Sequence, residues 1–294
     1  MKLGKTKNIN TWLRHMVLFY RERIFRQLIP IMSLITIYSI IIVHLDRTWI
    51  LFDRINNLNL GQFHLIFSFI LGIIISFRVN TTYARWWEGR VLWGSIVNNC
   101  RNLGFKFDTF VGLEEHQEFY AYLRAFPVAL KFQLRKDRTG MEKEFQKLGV
   151  DSGDIANPVL FLVNRMYKII NELRDSDQLR FEQYMALDTH LVNLIDMVGG
   201  CERILNTPPP AAFAFFVKQG LLFYALIFPF GWAEQFGYLI IPLLLVLVYI
   251  LLGLEMLAEE LEDPFGTDDN DLPLDAIAKN IVKNITFIAE QPRK

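Results

Sequence analysis

Residues 236–257 read FGYLIIPLLLVLVYILLGLEML, an apolar run long enough to decide the fold class. A helix that crosses a bilayer takes roughly 20 such residues. Three other apolar segments lie at residues 28–45, 63–77 and 211–232. The second of these is short for a crossing, and we expect its helix to continue through Arg78. Four runs of this kind predict an all-α membrane protein with four transmembrane helices.

The composition agrees with apolar spans separated by polar segments. Of the 294 residues 52% are hydrophobic, and the mean hydropathy is positive at +0.23. Charged residues nevertheless make up 21%, which is close to the share in a soluble protein. The formal net charge is zero, whereas nucleic-acid binding requires a basic surface. The composition therefore predicts no nucleic-acid partner.

The distribution of basic residues predicts the orientation in the membrane. The N-terminal segment, residues 1–27, carries one acid, Glu22, against a set of basic residues: Lys2, Lys5, Lys7, Arg14, Arg21, Arg23 and Arg26. Because positive residues are retained on the cytosolic side, the N-terminus is expected in the cytosol. Four crossings then return the C-terminus to the cytosol, and we expect a multi-pass protein of the cell inner membrane.

The segment between the second and third spans reads as a cytosolic helical region. Apolar residues recur at three- and four-residue steps in 119–134, 160–173 and 184–198. Gly140, residues 149–153 and Pro158 are expected to mark loops, and the prolines at 208–210 to end the last cytosolic helix. The predicted organisation is a cytosolic segment 1–27, transmembrane helices 28–78, a cytosolic helical region 79–210, transmembrane helices 211–257, and a cytosolic acidic turn with a C-terminal helix at 258–294.

Motifs that would indicate an enzyme are missing from the sequence. The five histidines are scattered without a metal-ligand spacing, and no GxSxG, Walker or GxGxxG motif occurs. The two cysteines, Cys100 and Cys201, form no CxxC pair and are expected to be buried small apolar residues. We therefore expect no enzymatic activity and no required cofactor.

Three residues of the second span share one stripe of a helix. Phe69, Ile73 and Phe77 are spaced by four, and such a stripe usually serves packing. In a ring of identical subunits, however, the same stripe would form stacked apolar collars that resist hydrated ions. The sequence leaves both interpretations open.

An acid-rich segment follows the fourth span. Residues 257–275 read LAEELEDPFGTDDNDLPLD and hold eight acids: Glu259, Glu260, Glu262, Asp263, Asp268, Asp269, Asp271 and Asp275. Hard cations bind oxygen-rich clusters of this kind, but the spacing does not fit an EF-hand loop. A solvated acidic turn is the alternative.

Three sequence blocks in fixed order resemble the bestrophin family in its bacterial branch. They are FRVNTTYARWWEGRVLWG at 77–94, GGCERILNTPPPAAF at 199–213 and AEELEDPFGTDDNDLPLDA at 258–276. The resemblance implies a homopentamer whose subunits each contribute four spans and a helical cytosolic part around one central pore. It places Phe69, Ile73 and Phe77 at a hydrophobic neck. A second, cytosolic aperture falls near Glu182, where an apolar residue would be expected.

The resemblance also implies a divalent-cation clasp in the acidic turn. Animal members of the family hold Ca²⁺ there, and Asp268 and Asp271 fall on its side-chain ligand positions, with the Asp263 carbonyl as a third ligand. Many bacterial members lack these acids, whereas this chain retains them. The resemblance therefore allows a Ca²⁺ ion as an optional ligand.

The combined prediction is a passive ion channel for small monovalent ions, with membrane lipid and the permeating ions as its other partners. A ring of Glu182 side chains favours cations such as Na⁺. Eukaryotic bestrophins conduct anions, so a chloride channel of the same architecture is the first alternative. A non-conducting membrane scaffold or sensor is the second. A secondary transporter usually requires internal repeats, and none is visible.

Overall fold

The structure, a computed structural model, describes residues 23–48, 60–112, 116–151, 153 and 155–290, without the side chain of residue 47. Within these ranges every regular element is helical. The α-helices are α1 (Arg23–Thr48), α2 (Leu60–Phe110), α3 (Gln117–Leu134), α4 (Arg138–Lys147), α5 (Pro158–Asp175), α6 (Phe181–Asn206), α7 (Ala211–Phe236), α8 (Ile240–Glu262) and α9 (Leu274–Ala289). The prediction of an all-α chain is confirmed for this part. Residues 1–22 and 49–59, on which the predicted orientation depends, lie outside the described residues.

In the part of the chain that the structure describes, three helical stretches are long and apolar enough to cross a membrane. They are Arg23–Asp46, Leu60–Phe110 and Ala211–Glu262. The second confirms that the helix of the short apolar run continues through Arg78. The third contains both α7 and α8, which are separated by a 3-10 turn at Gly237–Leu239. Gly237 adopts a φ of +54°, a left-handed conformation that favours glycine, and this conformation ends α7.

The first of two compact units comprises the described residues up to Ala84 together with Pro209–Glu262. In it α7 and α8 pack against each other as an antiparallel pair. Ala225 shares a buried cluster with Leu244 and Val248, while Ala233, further along α7, shares one with Ile240, earlier in α8. Helix α1 packs onto both partners. The two halves of the third apolar stretch thus form a helical hairpin.

The second unit comprises Arg85–Pro208 and the residues from Asp263 onward. Its core surrounds α3, which packs against α4, α5, α6 and α9. The rings of Phe107 and Phe119 stack with centroids 3.7 Å apart. Helices α3, α5 and α6 coincide with the three periodic segments, so those helix predictions are confirmed. The proline run also separates α6 from α7 as predicted.

Gly140 does not mark a loop, and that prediction is wrong. It lies in the first turn of α4, where its N–H donates to the Asp137 carboxylate at 2.9 Å. A Cβ at this position would meet the Phe132 ring at 2.3 Å. Glycine is present because the aromatic ring lies against the helix backbone, and a sequence pattern does not reveal such a contact.

Both cysteines are fully buried, as expected for small apolar residues. Burial, with the nearby charges of Glu202 and Glu88, raises the pKa of the Cys201 thiol to about 12. A thiol that stays protonated and enclosed is a packing residue and not a nucleophile.

Candidate functional site

The predicted neck residues lie on an exposed face of α2. Phe69 is 70% exposed, Ile73 41% and Phe77 65%. The opposite face of the same helix is buried, since Leu71 and Ile75 pack with residues of α7 and α8. Intramolecular packing therefore does not explain the stripe. An apolar face of this size normally contacts lipid, a partner or a dewetted pore.

The exposed face becomes polar immediately after Phe77. Asn80 and Thr81 continue it by one turn, and both are exposed. The Thr81 hydroxyl donates to the Phe77 carbonyl, one turn earlier in α2, at 2.8 Å. This hydrogen bond fixes the orientation of the hydroxyl. An ion leaving an apolar collar along this face would meet hydroxyl and amide groups that can replace lost water. Sequence analysis did not single out these two residues.

A buried ionic network begins at the residue after Phe77. The Arg78 side chain is 2% exposed, and its Nη2 donates to Glu262 Oε2 at 2.7 Å. Its Nε lies 3.5 Å from Oε1 of Glu255, which is 1% exposed. Both acids belong to α8, so the network joins α2 to α8. Charges inside a membrane-spanning region are costly and usually paired.

This network was not predicted, although the sequence contains a signal for it. Arg78 was expected only as a residue through which the second span continues, and Glu255 was given no role. Glu255 and Glu262 are seven residues apart, which is about two helical turns, so they lie on the same face of a helix. An acid within an apolar run, with a second acid on its face, indicates a buried basic partner.

Arg85 and Trp86, further along α2, donate hydrogen bonds that stabilise the second unit. Arg85 donates from Nη2 to the Ile204 carbonyl at 2.5 Å and from Nη1 to the Thr207 carbonyl at 2.9 Å. These are carbonyls at the end of α6, which have no intrahelical donor. The Trp86 indole N–H donates to the Asn270 carbonyl at 2.9 Å. Within the block 77–94, Arg85 therefore binds the end of α6, and Trp86 binds the acidic turn.

The acidic turn is closed by hydrogen bonds within its own residues. The Asp268 N–H donates to Asp271 Oδ2 at 2.6 Å, and the Leu272 N–H donates to the Pro264 carbonyl at 2.9 Å. Gly89 allows this approach, since a Cβ there would come within 3.1 Å of the Phe265 ring. The turn is therefore held in place by close packing as well as by hydrogen bonds.

Basic residues of α3 hold the turn and the start of α9. Arg135 Nε lies 3.3 Å from the Phe265 carbonyl and 3.2 Å from the Gly266 carbonyl, and donates to both. Arg135 Nη1 and Lys131 Nζ lie 2.7 and 2.9 Å from the Asp275 carboxylate. These two donors hold the pKa of Asp275 below its usual value. A fixed cation thus already balances part of the turn's negative charge.

Two of the three predicted clasp residues place an oxygen atom near Gly266. A Cβ on this glycine would lie 2.6 Å from Asp271 Oδ2 and 4.0 Å from the Asp263 carbonyl oxygen. The donors are oxygens, the type that hard cations prefer. Among the described residues, however, no three His, Cys, Asp or Glu side chains are grouped as metal ligands. The chemistry of the donors fits Ca²⁺, and the clasp of Asp263, Asp268 and Asp271 stays a prediction.

The predicted aperture residue lies at the start of α6. Glu182 is exposed in the first turn, beside the exposed apolar ring of Phe181. Its carboxylate can therefore face solvent in a single chain. Whether five such side chains meet depends on the assembly, so the aperture stays a prediction.

Comparison with known proteins gives matches over most of the chain. The family model of the bacterial and fungal bestrophin proteins matches residues 4–286. A protein of Nostoc sp. named a voltage-dependent anion channel-forming protein is 36% identical over 74% of this chain and 74% of its own. One of the same name from Mesorhizobium japonicum is 32% identical over 88% of this chain and 84% of its own. These channel names agree with the expectation that the chain is not an enzyme.

Solved structures similar to this chain include bacterial bestrophin homologues. A bacterial bestrophin homologue from Klebsiella pneumoniae, in a form with a tryptophan replaced by alanine, has a TM-score of 0.80 and 26% identity, and the match covers 92% of this chain and 99% of that one. A second form of that homologue, with an aspartate replaced by alanine, has a TM-score of 0.79 and 28% identity, and the match covers 90% of this chain and 100% of that one. The resemblance drawn from the three sequence blocks is confirmed. This membrane protein belongs to the bacterial and fungal bestrophin family.

Proposed function

We propose that the chain is one subunit of a homopentameric channel that passively conducts small monovalent ions. The carrying observation is the exposed apolar stripe of α2, whose opposite face is already packed against α7 and α8. Relatives named channel-forming proteins support the assignment. Five copies would place Phe69, Ile73 and Phe77 in three collars around one axis, where dewetting sets the barrier to ions.

The proposed subunit crosses the membrane four times. Helices α1, α7 and α8 have 26, 26 and 23 residues, each more than the roughly 20 that a crossing needs. The first part of α2 supplies the remaining crossing. Because α7 and α8 form an antiparallel hairpin, the 52-residue stretch Ala211–Glu262 would cross twice. With four crossings both termini would lie on the same side of the inner membrane, and the basic residues of segment 1–27 favour the cytosolic side.

The proposed preference is for cations such as Na⁺, because an exposed Glu182 in each subunit would give a ring of five negative charges. The specific observation that favours the alternative, a chloride channel, is the anion-channel name of the relatives. The two functions share one architecture and differ in the sign of the permeant ion.

Reversal potentials decide the sign of the ion. In a planar bilayer with a tenfold NaCl gradient, a cation-selective pore reverses near the Na⁺ potential, about 59 mV in magnitude. Glu182→Gln is expected to move that potential toward zero, since it removes the charged ring. Glu142→Gln, at an exposed acid of α4, is the matched control and should leave it unchanged. A wild-type reversal at the chloride potential would establish the anion alternative.

The acidic turn is proposed to bind Ca²⁺ through the Asp271 and Asp268 carboxylates and the Asp263 carbonyl. Calcium that binds only the folded turn stabilises it, by about 2.7 kcal/mol at a hundredfold excess over Kd. Thermal unfolding of the purified protein should therefore shift upward in Ca²⁺ relative to a chelator. Asp271→Asn keeps the acceptor for the Asp268 N–H but should lose the shift. An unchanged melting temperature in wild-type protein would rule out this Ca²⁺ site.

A further inference from the structure

A cavity of about 410 Å³ lies within the first unit, between α1, α7 and α8. Its size is in the range of sites for small organic ligands. Most of its wall residues are apolar and come from all three helices, among them Ile31, Ile35, Leu221, Ala225, Val248 and Leu251. The proposed conduction pathway along α2 makes no use of this cavity.

The charged and amide side chains of the cavity are all at one end. Gln27 lies near the start of α1, Lys218 near the start of α7, and Glu255 and Glu259 near the end of α8. Seven or eight residues further into each helix, about 11 Å along its axis, the lining is apolar. A ligand that matches this gradient has a charged head and a hydrocarbon tail.

The Glu255 carboxylate determines which hydrogen-bonding groups the charged head of the ligand needs. Its side chain is buried, and neither of its carboxylate oxygens accepts a hydrogen bond from the described residues. Arg78 Nε approaches to 3.5 Å but without the alignment of a hydrogen bond. Arg78 compensates part of the Glu255 charge but gives it no aligned hydrogen bond, so a ligand whose N–H groups reach this carboxylate from the cavity would be stabilised there. A primary ammonium offers three such donors and a positive charge.

The remaining charges at this end agree with a zwitterionic head. Lys218 Nζ lies 2.8 Å from Glu259 Oε2, and both side chains are about half exposed. With Arg78 beside Glu255 and Glu262, and Lys218 beside Glu259, two cations meet three acids at this end, so the net charge still favours a cation over a bare anion. Because an ammonium group has three donors, Lys218 can keep Glu259 and also donate to a phosphate.

From these contacts we infer that the cavity binds a phospholipid with a primary-amine head group, such as an ethanolamine phospholipid. One acyl chain lies between α1, α7 and α8, the ammonium donates to Glu255, and the phosphate accepts from Lys218. The site is separate from the proposed pore and stands whether or not the chain conducts ions.

Lipid titration of the full-length, delipidated protein tests the site. The probes are dioleoyl phosphatidylethanolamine, the phosphatidylcholine with the same chains, and the corresponding phosphatidylglycerol, with bound lipid per subunit counted by native mass spectrometry. Phosphatidylcholine keeps the charge of the ethanolamine head but has no N–H donor. Wild-type protein should bind the ethanolamine lipid about tenfold more tightly than either competitor, the scale of a hydrogen bond to a charged group.

Two variants separate the head from the chain. Glu255→Gln should abolish the preference for ethanolamine over choline while the chain still binds. Ala225→Phe, which fills the cavity from α7, should weaken binding of all three lipids at least tenfold. Ala212→Phe, at an exposed residue of the same helix, is the matched control and should bind like wild type. If Glu255→Gln does not fold, the wild-type comparison of the ethanolamine and choline lipids tests the head group, and Ala225→Phe tests the chain.

Three outcomes would overturn the inference. Equal affinity of the wild type for the ethanolamine and choline lipids would remove the role of Glu255. Unchanged binding by Ala225→Phe would show that the lipid lies elsewhere. Protein density from a second copy in the cavity of a solved assembly would identify a different occupant.

Discussion

Replacing Ile73 and Phe77 with alanine raises the ion flux through the protein if these side chains form the neck. Each alanine removes most of an exposed apolar side chain and widens a collar in which ions lose their hydration. A barrier lowered by about 1.4 kcal/mol corresponds to about a tenfold increase. The measurement is single-channel conductance, or radiotracer flux into liposomes, for purified wild type, each single variant and the double variant.

Matched controls come from exposed apolar residues on other helices. Ile37→Ala on α1 and Phe216→Ala on α7 remove side chains of the same types, which are also exposed in the single chain. They should leave the flux unchanged. An equal increase in the controls would mean that the α2 stripe is not the neck. No flux from wild type or from any variant would favour the non-conducting scaffold.

Arg78→Gln is the substitution expected to destabilise the protein most. It leaves Glu255 buried without its cation and removes the 2.7 Å contact to Glu262. Breaking a buried ion pair from one side costs about 3–5 kcal/mol, because the remaining charge has no compensation. Chemical or thermal unfolding of the purified protein in one detergent measures the loss.

A double variant tests the cause of that loss. Arg78→Gln combined with Glu255→Gln removes both charges and should recover a substantial part of the stability. Arg174→Gln, which breaks the exposed pair with Asp175, should have little effect since solvent screens that pair. If Arg78→Gln unfolds like wild type, the buried pairing of Arg78 with Glu255 is wrong.

The helices were predictable because their signals are local. A continuous apolar run predicts a membrane helix, whatever packs beside it. The three- and four-residue steps of 119–134 likewise predict an amphipathic helix. The same is true of the stripe at Phe69, Ile73 and Phe77, since helical spacing alone places them on one face. Gly140 shows the limit of this reasoning, because a ring eight residues earlier in the chain determined that glycine was needed inside a helix.

The candidate site was predictable in part. The sequence identified the stripe and the acidic turn, and it indicated Glu182 as an aperture residue, which stays a prediction. It did not identify the pairing of Arg78 with Glu255 and Glu262, although all three residues were visible. Arg78 is 177 residues from Glu255 and 184 from Glu262, so the spacing of the two acids indicates a buried basic partner but not which residue it is. The lipid-sized cavity was hidden for the same reason, since its walls come from three helices.

The amino-acid sequence by itself determined that this is a helical membrane protein of the bestrophin family, with one apolar stripe on its second span. Hydrophobicity and helical period are properties of short segments, so they can be read without a fold. Only the tertiary structure decided that the stripe stays uncovered in the subunit, that Arg78 and Glu255 are buried together, and that Glu255 lines a cavity. Burial and charge pairing depend on which distant segments meet, and packing in three dimensions alone determines that.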